Sequence, residues 1–250
     1  MKIRSLAATT AGILGCAVLI ALSPANAGEV AAPKGGGFDT QEPFSLGAEV
    51  SVGYDSSYIF RGVDFGDNLV WGDVNIGVPL SDGVDLTLGA WYASLADDDY
   101  DELNVYGGVS FDLGAFTLGA GLTWYYFPSG GGDVIEPGAS IGTSVGPVDL
   151  SLGYYFDESV DGHYLELAAE STIELTDTLA LVPGISISYG DDYYGVSGFN
   201  NVGLSLALPI ALTDTATLTP YIAGSIAIDA LEDNGEDDHV YGGISLSVSF

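Results

Sequence analysis

Basic residues are nearly absent from this 250-residue chain, which holds 4 Lys and Arg against 35 Asp and Glu. A chain with so few cations has no surface that could neutralise nucleic-acid phosphates, so nucleic-acid binding is excluded. The formal net charge is −31 at pH 7. Such a chain is expected to attract small cations instead.

Cysteine is equally scarce, and the single one, Cys16, lies in an N-terminal segment that predicts a secretory signal peptide over residues 1–27. Lys2 and Arg4 precede an apolar run from Leu6 to Leu22, and residues 25–27 read Ala-Asn-Ala, a small-x-small cleavage site. Cleavage there would leave a chain without thiols. The alternatives are a single spanning helix and a lipid-modified Cys16, although six apolar or small residues follow the cysteine.

Long apolar runs are missing after residue 27, so the sequence predicts no spanning helix there. Residues 28–43 are rich in Gly, Pro and Ala without periodicity, which predicts a flexible periplasmic leader. From Ser45 to Phe250 apolar residues alternate with small or polar ones in about twelve runs of roughly 9 to 12 residues. That is the length a tilted barrel strand needs to cross a bilayer.

The links between these runs alternate in length. Short ones fall at residues 81–83, 113–115, 146–147, 176–178 and 213–215, and longer acidic ones at 96–101, 128–134, 157–162, 190–199 and 229–238. Short turns at one end and longer loops at the other are typical of outer-membrane barrels. The prediction is an all-β, transmembrane, antiparallel up-and-down β-barrel of about 12 strands over residues 44–250. A soluble secreted β-sandwich is the alternative, but it has no reason to alternate its loop lengths.

Two hairpins resemble each other at an offset of 37 residues, Ile173–Thr178 and Ile210–Thr215. Pro183 and Pro220 follow the two turns at the same distance. Because proline removes a ladder hydrogen bond, a shared β-bulge is expected at both prolines. Aromatic residues gather where strands meet the longer loops, which predicts an interfacial aromatic belt.

The segment Tyr54-Asp55-Ser56-Ser57-Tyr58-Ile59-Phe60-Arg61-Gly62-Val63 resembles the opening of the TorF family (Gcw_chp) of bacterial outer-membrane barrels. Ser57 stands where that family usually has aspartate. The resemblance implies the fold and an outer-membrane location, and it implies no particular activity. The final strand, which ends in Phe250, is similar to the signal that the barrel-assembly machinery reads, so this machinery is an expected partner during biogenesis.

If the apolar set faces lipid, the other set faces the lumen and is mostly Gly, Ser, Ala and Thr. The predicted pore lining includes Arg61, the only basic residue of the barrel. It also includes five carboxylates, those of Glu49, Asp73, Glu166, Glu170 and Glu174. The last three form one inward column that suggests a wet lumen. The alternative is the solvated face of a soluble strand. A carboxylate such as Glu166 is the expected partner of Arg61, which would fix a loop or narrow the pore.

The acidic loops are weak candidates for binding Ca²⁺ or Mg²⁺, because they are dense in oxygen ligands. The candidate ligands are Asp97, Asp98, Asp99, Asp101, Glu232, Asp233, Asp237 and Asp238. Such ions could bridge the loops to anionic lipopolysaccharide. A plain solvated acidic loop is the alternative, and no resident cofactor is expected.

No arrangement typical of an enzyme is evident. Neither histidine, His163 or His239, has a serine two residues on, as lipid-cleaving outer-membrane enzymes require, and no Gly-x-Ser-x-Gly elbow with a base is present. The leading hypothesis is therefore a passive, cation-preferring pore for small solutes, not an enzyme. The alternative is a structural or adhesive outer-membrane protein with a closed lumen and acidic surface loops.

Overall fold

The computed structural model describes residues 47–250, so the predicted signal peptide and leader lie outside the described residues. Within that range no helix is long and apolar enough to cross a membrane. The elements are one short helix, α1 Asp229–Asp233, and fourteen strands: β1 Ala48–Phe60, β2 Val63–Ser81, β3 Val84–Leu95, β4 Asp101–Asp112, β5 Thr117–Phe127, β6 Gly132–Val145, β7 Val148–Asp157, β8 Gly162–Glu170, β9 Ile173–Thr176, β10 Leu179–Asp191, β11 Gly198–Ala207, β12 Ile210–Ala211, β13 Ala216–Ala227 and β14 His239–Ser249.

The strands form one antiparallel sheet that closes on itself. The last strand, β14, pairs with β1 over a register that runs from Glu49 opposite Ser249 to Asp55 opposite Gly243. Two strands are short continuations: β9 extends β8 along β10, and β12 extends β11 along β13. The fourteen segments therefore make twelve spanning strands, which confirms the predicted 12-stranded antiparallel barrel.

Strand alternation gives the barrel an apolar outer wall. Large apolar side chains on the outward face keep about half of their surface exposed, for example Val52 at 52%, Val74 at 50% and Leu167 at 52%. An apolar surface that continues around the whole wall would be costly in water, whereas it suits a hydrocarbon environment. The inward positions carry glycine, serine and the polar groups.

The two prolines lie opposite breaks in the preceding strand, so the predicted bulge at each proline is wrong. The register runs unshifted through Pro183, opposite Leu206, and through Pro220, opposite Ile244. The irregularity falls instead at residues 171–172 and 208–209, between β8 and β9 and between β11 and β12. Because proline offers no N–H to the neighbouring strand, that neighbour can leave the ladder at the same level.

The barrel has two different ends. At the turn end, links of two to four residues join the strands, and the amide of Phe250 donates to the carbonyl of Ala48, which ties the last strand to the first. At the loop end, most links are four to six residues long, and the β13–β14 link carries α1. The β1–β2 link at this end is only two residues, Arg61 and Gly62.

Replacing an outward residue near mid-wall by a charge tests the assignment of the outer face. Leu88 is 48% exposed and pairs with Ile76, so Leu88→Arg is expected to lower the free energy of unfolding in lipid vesicles by about 2–4 kcal/mol. The matched control is Thr87→Arg, which places the same charge in the lumen. Urea titration of both variants measures the difference. Equal losses for the two would contradict the assignment.

Candidate functional site

The β1–β2 turn places Arg61 in the mouth of the barrel. Arg61 and Gly62 have φ values of 50° and 90°, and positive φ at both central positions is the mark of a two-residue type I′ hairpin. Glycine is required at position 62 for a second reason besides its positive φ. A Cβ there would lie 2.8 Å from Leu231 and 2.9 Å from Asn201. The turn thus folds against α1 and β11, and Arg61 is only 7% exposed.

Arg61 forms a buried bidentate ion pair with Glu136 on β6. Its Nη1 lies 2.6 Å from Glu136 Oε2 and its Nη2 3.0 Å from Oε1, and each side chain is 2% exposed. The hydroxyls of Tyr125 and Tyr193 also donate to the carboxylate, at 3.1 and 2.6 Å. Nη1 of Arg61 donates to Tyr193 as well. A buried ion pair needs such additional hydrogen bonds, because they offset the free-energy cost of removing two charges from solvent.

Aromatic rings enclose the guanidinium. Its central carbon lies 4.4 to 4.8 Å from four ring centroids, those of Phe60, Tyr155, Tyr164 and Tyr193, within the range of a cation–π interaction. Tyr155 reaches this place because it lies against two glycines, Gly138 and Gly153, where a Cβ would stand 2.9 Å from the ring. Small residues on the wall therefore make room for the rings around the cation.

The rest of the mouth is packed in the same manner. Glu102 on β4 is fully buried and accepts hydrogen bonds from Tyr58 at 3.0 Å and from Asn104 at 2.7 Å. We call the buried side chains at this level the mouth plug: Tyr58, Phe60, Arg61, Leu69, Glu102, Tyr125, Glu136, Tyr164, Tyr193 and Leu231. They come from six strands, the β1–β2 turn, the β10–β11 loop and α1, so they fill the lumen at the loop end.

The predicted pore-lining carboxylates lie on the inward face. Asp73 accepts a hydrogen bond from the Tyr106 hydroxyl at 2.9 Å, and Glu49 accepts from Ser249 at 3.3 Å. Glu170 and Glu174 stand opposite Gly184 and Ala180 of β10. Glu166 lies nearer the loop end, beside the mouth plug, where the Tyr164 hydroxyl is 3.5 Å from its carboxylate. Their role as pore lining stays a prediction.

The partner of Arg61 is Glu136, not the suggested Glu166. Glu136 was not among the predicted inward carboxylates, because the link predicted at residues 128–134 overlaps the start of β6, which begins at Gly132. The signal was present, since the outward alternation extends back from Ala139 through Pro137 to Ile135. Tyr193 was missed for a different reason: it lies in a loop, where periodicity carries no information.

The aromatic residues near the loop end are divided between the two faces. Tyr92, Tyr126 and Tyr154 point outward and are 39% to 47% exposed, as an interfacial belt requires. Their sequence neighbours Trp91 and Tyr125 point inward and are at most 5% exposed. Only the outward half of these aromatic residues therefore fits the predicted belt. The inward half packs inside the mouth of the barrel.

Acidic residues of the loops accept hydrogen bonds from neighbouring side chains. Asp97 accepts a hydrogen bond from Asn68 at 2.6 Å, and Asp101 accepts from Tyr92 at 2.7 Å and from Ser129 at 3.0 Å. In residues 47–250 no group of three or more His, Asp or Glu side chains is gathered as metal ligands. Binding of Ca²⁺ or Mg²⁺ by these loops stays a prediction.

Comparison with protein families gives one match. The model of the Gcw_chp family, described as bacterial proteins of unknown function, matches residues 38–186, more than half of the chain. The match includes the β1 segment with Arg61 and confirms the predicted family, while the name TorF stays a prediction. No curated protein matches the sequence.

Solved structures with a similar fold include outer-membrane barrels. An outer-membrane channel from Pseudomonas putida F1 is 12% identical with a TM-score of 0.55, over 86% of this chain and 100% of that one. The KdgM porin in complex with disordered oligogalacturonate is 10% identical with a TM-score of 0.54, over 81% and 99%. The NanC porin is 12% identical with a TM-score of 0.51, over 81% and 98%. At these identities the likeness shows the fold alone.

The ion pair can be tested by a double-mutant cycle. Removing one partner leaves an uncompensated buried charge, so Arg61→Met or Glu136→Leu is expected to lower the free energy of unfolding by about 3–5 kcal/mol. The double variant should lose much less than the sum, because no lone charge remains. Glu170→Gln, which removes an inward charge outside the plug, is the control and should change stability little. Additive losses in the double variant would contradict the pairing.

Proposed function

Because this chain belongs to the Gcw_chp family and has the fold of outer-membrane barrels, we propose that it is a passive, porin-like pore of the outer membrane that prefers small cations. The observation that carries the proposal is the uncompensated acidity of the lumen. Glu49, Asp73, Glu170 and Glu174 face inward, and Arg61 is the only Lys or Arg of residues 47–250. Glu136 neutralises that one cation, so the field along the remaining lumen is negative and favours cations.

The outer surface supports the location. An apolar wall suits lipid, and the acidic loops at one end could bind lipopolysaccharide through divalent cations. The barrel-assembly machinery is the partner proposed for insertion. The solved barrels with this fold include porins and a channel, which supports transport as the class of function, without an enzymatic step.

The mouth plug favours a second candidate. Side chains from six of the twelve spanning strands, together with loop residues and α1, fill the loop end, and a lumen closed there would suit a structural or adhesive protein. In the pore hypothesis the same plug is the constriction that limits conductance. The two functions therefore differ in whether ions pass the plug, and conductance measures this directly.

Ion selectivity tests the acidic lumen. The protein, purified from membranes and inserted in a planar bilayer, is expected to give conductance steps with a cation-selective reversal potential in a salt gradient. Glu170→Gln with Glu174→Gln should reduce that potential, because two inward charges are removed. Asp98→Asn with Asp99→Asn changes the charge equally in an exposed loop and should leave it nearly unchanged. Anion selectivity, or equal effects of both pairs, would refute the proposed filter.

Loosening the plug tests whether it is the constriction. Arg61→Ala with Tyr193→Ala removes the guanidinium and one of the rings around it, so the conductance step should increase. Tyr126→Ala, which removes an outward ring at a similar level, is the control. If the unmodified protein and the plug variant are both silent although folded and inserted, the pore hypothesis fails and the closed-lumen function takes its place.

A further inference from the structure

A cavity of about 560 Å³ lies inside the barrel on the turn-end side of the mouth plug. That volume is within the usual range for small-molecule sites. Tyr58 and Leu69 of the plug, together with Trp91, form its side toward the loop end. The wall residues on which its chemistry depends are Asp55, Trp71, Asp73, Tyr106, Tyr221 and Tyr241. Six aromatic rings and two carboxylates therefore line the cavity, with small or polar side chains between them.

Glycines hold three of its side chains against the barrel wall. A Cβ on Gly53 would lie 2.3 Å from the Trp71 ring, and one on Gly89 would lie 2.3 Å from the Tyr106 ring. A Cβ on Gly243 would lie 2.1 Å from the Asp55 carboxylate. Because inward glycines stand at these three positions, the side chains lie flat across them, and the centre of the lumen stays open.

Hydrogen bonds then fix the rings to the carboxylates. Asp55 accepts from the indole N–H of Trp71 at 2.9 Å and from the Tyr221 hydroxyl at 2.7 Å. Asp73 accepts from the Tyr106 hydroxyl at 2.9 Å and from the Asn75 amide at 3.0 Å. A carboxylate can accept about four hydrogen bonds, so each keeps acceptor capacity toward the cavity.

No cation of the described chain compensates these two carboxylates. Arg61, the sole Lys or Arg of residues 47–250, is paired with Glu136 in the plug. His163 bonds to the outward Tyr154, and His239 bonds to Glu236 in the β13–β14 link. The cavity thus combines negative charge with the faces and edges of aromatic rings.

We propose that this cavity binds a small organic cation, an amine or a quaternary ammonium compound. Aromatic faces attract such cations through their quadrupoles, and a carboxylate in the same enclosure supplies the opposite charge. A neutral sugar could stack on the same rings, but it would leave both carboxylates uncompensated. The proposal names a ligand class for the lumen and rests on the proposed cation-preferring function.

Access to the cavity runs from the turn end. Several inward positions between the cavity and that end are small, among them Ser247, Ser249, Gly108 and Gly121. The ligand would reach the rings without displacing the mouth plug, so binding does not require an open pore.

The fluorescence of the barrel offers a direct assay. Two of its three tryptophans, Trp71 and Trp91, line the cavity, whereas Trp124 lies on the outer face. In a Trp124→Phe background, with protein purified from membranes in detergent, choline should change the tryptophan emission in a saturable manner. Its neutral isostere 3,3-dimethylbutan-1-ol, which has the same shape without the charge, should not.

Charge-neutral variants locate the site. Asp55→Asn and Asp73→Asn should each weaken choline binding at least about tenfold, because each removes one of the two opposite charges of the cavity. Asp149→Asn, which neutralises an inward carboxylate outside the cavity, is the control and should bind like the parent. Migration of unheated protein on a detergent gel verifies that each variant is folded.

Three results would overturn the inference: no saturable response to choline, equal binding of the isostere, or unchanged affinity in both cavity variants. Failure of the pore proposal is a separate result, because binding is measured in micelles and conductance in a bilayer. A protein that binds choline but passes no current would retain the site and lose the pore.

Discussion

The buried pair of Arg61 and Glu136 is the interaction on which the loop end of the barrel depends. The chain has only one basic residue in its barrel, and burial of an unpaired guanidinium would be costly. Glu136, two tyrosine hydroxyls and four rings enclose it, which fixes the β1–β2 turn, the start of β6 and the β10–β11 loop relative to one another. Three segments far apart in sequence are thereby held across the mouth. Loss of either member would leave the other as an unpaired buried charge, so the two groups hold this arrangement only together.

Small residues decide where the rings can lie. In the mouth, Gly138 and Gly153 receive Tyr155, and in the cavity Gly53 and Gly89 receive Trp71 and Tyr106. The abundance of glycine, 36 residues in the chain, is thus more than a consequence of turns. A barrel of twelve strands has a lumen intermediate between filled small barrels and open large ones. Whether a level of that lumen is filled or open therefore depends on how its inward rings are directed.

Much of the fold was predictable because a spanning strand has a period of two and its links alternate in length. In β5, for example, the alternation from Leu118 to Tyr126 identifies the outward residues directly from the sequence. The mouth was less predictable. The partner of Arg61 lies 75 residues away, and nothing in the local pattern distinguishes Glu136 from Glu166. Periodicity predicts whether a side chain faces the lumen or the lipid. It predicts neither the level of that side chain along the barrel axis nor its partner on the opposite wall. The positions of Tyr193 and Leu231 depend on loops, where no periodicity exists.

Neutralising Arg61 inside the plug has a consequence for the remainder of the lumen. A free cation at the mouth would repel cations and offset the inward carboxylates, whereas a pair with Glu136 contributes no net charge. In the proposed pore, the negative field is then set by inward carboxylates nearer the turn end, among them Asp55, Asp73 and Glu170. In the proposed pore, a cation that enters from the turn end would meet the aromatic cavity before it meets the plug. Because conduction requires that a bound ion can also leave, occupancy of the cavity by an organic cation would reduce the passage of smaller ions. In a barrel that has both the proposed pore and the proposed site, binding and conduction would be competing uses of one acidic lumen.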